Sequence, residues 1–190
     1  AHSHYARGHV FAGYFILATI YYATKIYRHG EKRAYLLAGI NLGLAVGAQY
    51  SSVLAVFPVI YAHFLHKKER SEHKFLLRWF LDRPFLLFLN ITALSFFIVT
   101  PYAILDMTYY GGQMKLFLTQ TLSSVHVDPE GRHILVFYLT EHLKNGLGLA
   151  VELLSVLGML IALKRHKATD IILLSFPLLL FFSLAKGENF

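Results

Sequence analysis

An all-α, polytopic transmembrane helix bundle is the fold class that this sequence predicts, on three observations. Hydrophobic residues make up 56% of the 190 and charged residues only 15%, too few polar side chains to cover one core with a water-soluble surface. The apolar residues come in runs of about twenty, the length a helix needs to cross about 30 Å of hydrocarbon. Lys and Arg collect in short stretches between those runs, as in loops held on one side of a membrane. A formal charge of +7 would suggest nucleic acid in a soluble domain, but no nucleic-acid-binding motif accompanies it. Zero cysteines exclude disulfides, thiol catalysis and cysteine-held metals.

Taken in order, the opening AHSHYARGH is polar and leads into a first apolar run from Val10 to about Tyr27. A basic stretch with Lys25, Arg28, Lys32 and Arg33 follows. From Ala34 to His66 the chain is apolar for 33 residues, more than one span needs, so it is expected to break at Gly47–Ser52 into two short legs. Gly39, Gly43 and Gly47 recur every four residues on the first leg, a face that another helix can approach closely. Residues 67–83 are basic with an apolar insert around Trp79 and predict an amphipathic helix on an anionic membrane surface.

The next span is expected from Pro84, a residue suited to a helix start, to about Leu105. Asn90-Ile91-Thr92 matches a glycosylation sequon but lies within that span and is discounted. Thr100-Pro101 marks where the backbone can leave the helical path, because proline has no N–H and disfavours helix at the residue before it. Residues 106–141 are read as the one long extramembrane segment, with Met114–Leu122 partly amphipathic. Spans from about His142 to Leu163 and from about Asp170 to Ala185, separated by the basic Lys164–Lys167, bring the total to about six membrane segments. The chain starts at Ala1 and stops just after an apolar run. It is expected to be one transmembrane domain, 1–190, of a longer protein.

Thirteen of the 18 Lys and Arg fall in three loops, which the positive-inside rule places in the cytoplasm. Basic clusters flank both ends of Ala34–His66, so its two legs must go in and come back as a hairpin, an arrangement that usually lines a cavity. AHSHYARGH, the GAQYSS apex, the segment around Asp106 and the terminal KGENF then share the extracytoplasmic side. That convergence of His, Tyr, Asp and Arg is the candidate site.

HSHYARGH before a span, YLLAGINLGLAVGAQYSS, TPYAILD and FYLTEHLKNGLGLAVELLSVLGMLIALKRH stand in the order found in GT-C membrane glycosyltransferases. The chain resembles glycosyltransferase family 39, the dolichyl-phosphate-mannose protein mannosyltransferase-like and aminoarabinose transferase-like group. The resemblance implies transfer of a sugar from a polyprenyl phosphate to a protein, lipid or glycan acceptor at the outer face of a cell inner membrane. It also implies an acid in a first outer loop, which would lie upstream of Ala1, basic residues that hold the lipid phosphate, and often a divalent metal. The chain departs from the pattern at His9, where an acid is common, and at Gln49, where a lysine is common.

Asp106 can position an acceptor hydroxyl or coordinate a cation, and with His9 it is the catalytic candidate. His4, Arg7, Gln49, Tyr50, Tyr102, Lys115, Arg132 and His133 are the substrate-binding candidates. Among them Arg7, Lys115 and Arg132 can pair with phosphate by charge-assisted hydrogen bonds. His2, His4 and His9 are potential metal ligands by imidazole chemistry, though a polar interfacial terminus explains them too. His126 and His133 flank Asp128 and Glu130 in the outer segment, where general acid or base chemistry is conceivable. Glu152 inside a span would cost about 2.5–3.5 kcal/mol if charged, so it should find a partner or stay protonated. Two other functions fit parts of the pattern. A secondary transporter would use the broken hairpin and Glu152, and a non-catalytic membrane scaffold would tolerate His9 and Gln49.

Overall fold

The computed structural model describes residues 8–70, 79–123 and 149–185. These residues are helical almost throughout and contain no strand, as the composition predicts. The chain divides into two compact units, Ala1–Asp106 and Met107–Phe190.

Unit 1 starts with α1, Gly8–His29. Its buried residues Ala12, Thr19, Ile20, Ala23 and Ile26 follow helical spacing, so one stripe faces the core. The helix stops at Gly30, whose φ of 65° suits a residue without Cβ. The Gly30 N–H caps Ile26 O at 2.9 Å. Helix α2, Lys32–Ala48, follows after two residues and packs on α1, so the two run antiparallel.

The long apolar stretch breaks where its glycine and polar residues predict. Gln49 is extended, with φ −158° and ψ 121°, and a 3-10 turn, Tyr50–Ala55, leads into α3, Val56–Arg70. Helix α3 returns beside the starting end of α2: the Tyr35 hydroxyl lies 2.6 Å from His63 Nδ1, and His66 Nδ1 lies 3.0 Å from Tyr27 O. The hairpin expected from the basic clusters is therefore formed, and both clusters lie at one end of unit 1. Lys67–Arg70, assigned from sequence to a surface helix, instead belong to α3; the rest of that expected helix lies largely outside the described residues.

Helix α4, Arg83–Val99, packs on α2 along the glycine face. A Cβ at Gly39 would meet Phe88 O at 2.8 Å, one at Gly43 would meet Thr92 O at 2.5 Å, and one at Gly47 would lie 3.2 Å from Thr100 Oγ1. These partners advance in step along both chains, so α4 runs parallel to α2 with its backbone in near contact. Phe85 and Phe88 are buried beneath it.

Helix α4 ends at Val99 rather than near Leu105, because Pro101 forces Thr100 out of the helical region, to φ −126° and ψ 62°. One further turn, α5, Tyr102–Leu105, precedes Asp106. Asn90 of the sequon lies inside α4 and donates to Leu86 O at 2.8 Å.

Unit 2 differs from expectation at its start. Met107–Ser123 is helix α6, which takes in the partly amphipathic Met114–Leu122 and starts seven residues before it; Gly111 and Gly112 do not interrupt it. Helices α7, Leu149–Arg165, and α8, Ala168–Ala185, lie in the last two apolar runs; residues 142–148, where the first of those runs was expected to begin, are outside the described residues. His166, with φ 49°, turns the chain between them. Arg165 Nε donates to Asp170 Oδ2 at 2.6 Å and Nη2 to Oδ1, a two-pronged ion pair across that turn.

Among the described residues one helix, Val10–His29, is long and apolar enough to cross a membrane. Arg83–Val99 and Ala168–Leu180 are apolar but shorter.

Candidate functional site

The antiparallel α1–α2 pair and the parallel α2–α4 pair divide the side chains of unit 1 between two ends. The first turn of α1, the last turn of α2, the 3-10 turn and the segment Thr100–Asp106 lie at one end. The basic residues between α1 and α2, at the close of α3 and at the start of α4 lie at the other. Two of the four polar segments expected to converge, the GAQYSS apex and the segment around Asp106, thus share an end of unit 1; AHSHYARGH up to Arg7 and KGENF lie outside the described residues.

Gln49 and Tyr50 are half-buried. The extended backbone at Gln49 lets the chain turn out of α2, and Gln49 O accepts the Ser52 N–H at 3.0 Å. Tyr102 is 71% exposed and sits on the single turn after Pro101. The N–H of Asp106 closes that turn on Tyr102 O at 3.0 Å, and Asp106 itself is exposed. A carboxylate, an amide and two phenols therefore belong to segments at one end of unit 1, side chains of types that can orient hydroxyl groups and donate to phosphate oxygens.

Two hydroxyls that sequence reasoning placed only as punctuation belong to the same end. Ser52 is 1% exposed, and neither its Oγ nor Thr100 Oγ1 has a hydrogen-bond partner. Buried hydroxyls without partners are uncommon, and each has capacity left for a ligand or water. No signal in the sequence distinguished them, because their burial depends on α2 meeting α4.

His9 lies in the first turn of α1, and its side chain is outside the described residues, as are His4, Arg7, Arg132 and His133. Lys115 is exposed on α6 in unit 2, where its carbonyl accepts the Thr119 hydroxyl at 2.8 Å. His126, Asp128 and Glu130 are outside the description, and Glu152 is placed on α7 without its side chain. Among the described residues no three His, Asp or Glu side chains gather as metal ligands. The described residues alone do not supply a donor set for the divalent metal that the resemblance implies.

At the opposite end a second polar cluster, unforeseen from sequence, is built into the packing. His63 is 2% exposed, with Nε2 2.9 Å from Trp79 O. A carbonyl only accepts, so Nε2 carries the proton and Nδ1 accepts from the Tyr35 hydroxyl. Nearby, Tyr27 donates to Glu69 Oε1 at 2.8 Å. Lys67 Nζ lies 2.5 Å from Asp82 Oδ2, an ion pair by distance without hydrogen-bond angles.

No family model, curated protein or solved structure matches the chain.

Proposed function

We propose that the chain is part of a polytopic integral-membrane glycosyltransferase that moves a sugar from a polyprenyl-phosphate donor to an acceptor at the extracytoplasmic face. The observation that carries the reading is that the segments of Gln49, Tyr50, Tyr102 and Asp106 belong to the end of unit 1 away from its basic clusters. The resemblance to glycosyltransferase family 39 supplies the reaction.

Membrane embedding is supported by the outward faces. Only 28% of the apolar stretch Val10–His29 is buried, whereas the core helix of a soluble protein would be mostly covered. Leu94 and Ile98 of α4 and Leu153, Leu154 and Leu157 of α7 are exposed. Apolar surface on this scale suits lipid better than water.

In the proposed reaction Asp106 positions the acceptor hydroxyl, which loses its proton to the first-outer-loop carboxylate that the resemblance implies upstream of Ala1 as its oxygen bonds to the anomeric carbon. The bond from that carbon to the phosphate oxygen breaks, and the polyprenyl phosphate leaves with the electron pair. Gln49, Tyr50 and Tyr102 donate hydrogen bonds to the phosphate as it leaves.

The test incubates the full-length protein with radiolabelled polyprenyl-phosphate sugars. Label should reach an acceptor, and Asp106→Asn should lower kcat about a hundredfold or more with membrane insertion intact. Absence of both transfer and sugar-lipid binding across a donor panel would overturn the reading. Unchanged turnover in Asp106→Asn would reduce that residue to a helix terminator.

Sidedness has its own test, made simple by the absence of native cysteine. Single cysteines in place of Glu31 and Tyr102 should react with an impermeant thiol reagent from opposite sides of sealed vesicles. Labelling of both from one side would remove the proposed topology.

A further inference from the structure

Val10, Tyr14, Leu17 and Tyr21 of α1 are 70%, 68%, 65% and 54% exposed. Their spacing of four, three and four puts them on one helical stripe. Continued at the same spacing, the stripe reaches Lys25 and Arg28, both exposed. The Lys25 ammonium stands 5.6 Å from the Tyr21 ring centroid, within cation–π range, so it is held against the stripe rather than swung away.

Charge at that end is one-sided. Lys25, Arg28, Lys32, Arg33, Lys68 and Arg70 are exposed and form no ion pair among the described residues. Two of the acids there already have partners: Glu69 accepts from Tyr27 and Asp82 is paired with Lys67. Among the described acids there, Glu31 is the one left.

We propose that this stripe is a seat for an anionic phospholipid, its phosphate held by Lys25 and Arg28 and its acyl chain lying along Tyr21, Leu17 and Tyr14. The dimensions agree. One leaflet of hydrocarbon is about 15 Å deep, and at about 1.5 Å per residue that depth covers about ten residues, from Lys25 to Tyr14. A zwitterionic lipid would fit the apolar part but gain little at the cations. The proposal rests on the membrane-embedded reading of unit 1 and is independent of the transfer reaction.

The full chain is purified in detergent and offered phosphatidylglycerol or phosphatidylcholine, with bound lipid counted by native mass spectrometry. Phosphatidylglycerol should be retained in preference. Lys25→Gln/Arg28→Gln should weaken its binding about thirtyfold, the worth of two basic groups near an anionic surface, and leave phosphatidylcholine unchanged. Lys68→Gln/Arg70→Gln, on α3, should keep the preference. Equal retention of both lipids by the wild type, or equal loss in the two double variants, would overturn the seat. A chain that stays monodisperse without detergent would instead remove the membrane reading beneath it.

Discussion

Replacing Gly43 with leucine is expected to pry α2 from α4 and to lower the stability of unit 1 by about 3 kcal/mol. Even the first added carbon would stand 2.5 Å from Thr92 O, 2.7 Å from Ser95 Cβ and 2.9 Å from Phe96 N. Two of these are backbone atoms, which no rotamer change can move aside, so the helices must separate. Helix α2 packs against both α1 and α4, and the displacement reaches the whole unit. Gly13→Ala is the matched control. Nothing lies within 4 Å of its added carbon, and alanine favours helix, so stability should hold or rise by up to about 1 kcal/mol. Thermal unfolding in detergent followed by circular dichroism compares the two. A Gly43→Leu protein that melts with the wild type would contradict the close parallel packing.

His63→Ala should be comparably damaging, at about 2–5 kcal/mol, because it leaves the buried Tyr35 hydroxyl and the Trp79 carbonyl without their partner and opens a cavity. Tyr35→Phe removes one donor and should cost less, about 1–2 kcal/mol. If the two side chains are bonded as their 2.6 Å separation indicates, the double variant should be less destabilised than the sum of the singles. Strict additivity in the same unfolding measurement would show that Tyr35 and His63 act separately.

The consequence concerns the hairpin. His63 joins α3 to the start of α2 and to the chain before α4 through two hydrogen bonds, and His66 adds a third to the end of α1. Under the membrane reading proposed above, helices gain little from burying apolar surface against one another, so polar contacts and close packing carry more of their association. Unit 1 uses both devices at different places: histidine bonds near the cations, and a glycine face toward the polar end.

Much of this was legible because its causes are local. Proline at 101 has one allowed φ and no N–H, so Thr100 had to leave the helix wherever α4 packed. Glycines four apart share a helix face in any α-helix, and they announced a close neighbour without naming it. The run Ala34–His66 exceeded one span, and its break at Gln49 fell within the predicted glycine and polar residues. Local signals fell short where they were weak: the amphipathic pattern was read only over Met114–Leu122, but two glycines in a row are compatible with helix, and α6 runs through Gly111 and Gly112 from Met107.

By itself the sequence determined the all-helical class, the hairpin with basic residues at both feet, the turn at Thr100-Pro101 and the side of α2 that meets another helix. Each follows from backbone sterics, helical period or charge placement along a few consecutive residues. Only the tertiary structure decided that α4 is the helix on the glycine face and that it runs parallel to α2. The same packing placed Ser52 and Thr100 hydroxyls in the polar end without partners, and it paired Tyr35 with His63 across 28 residues. Those outcomes depend on which distant surfaces fit at close range, and no local period or charge pattern encodes a partner so far along the chain.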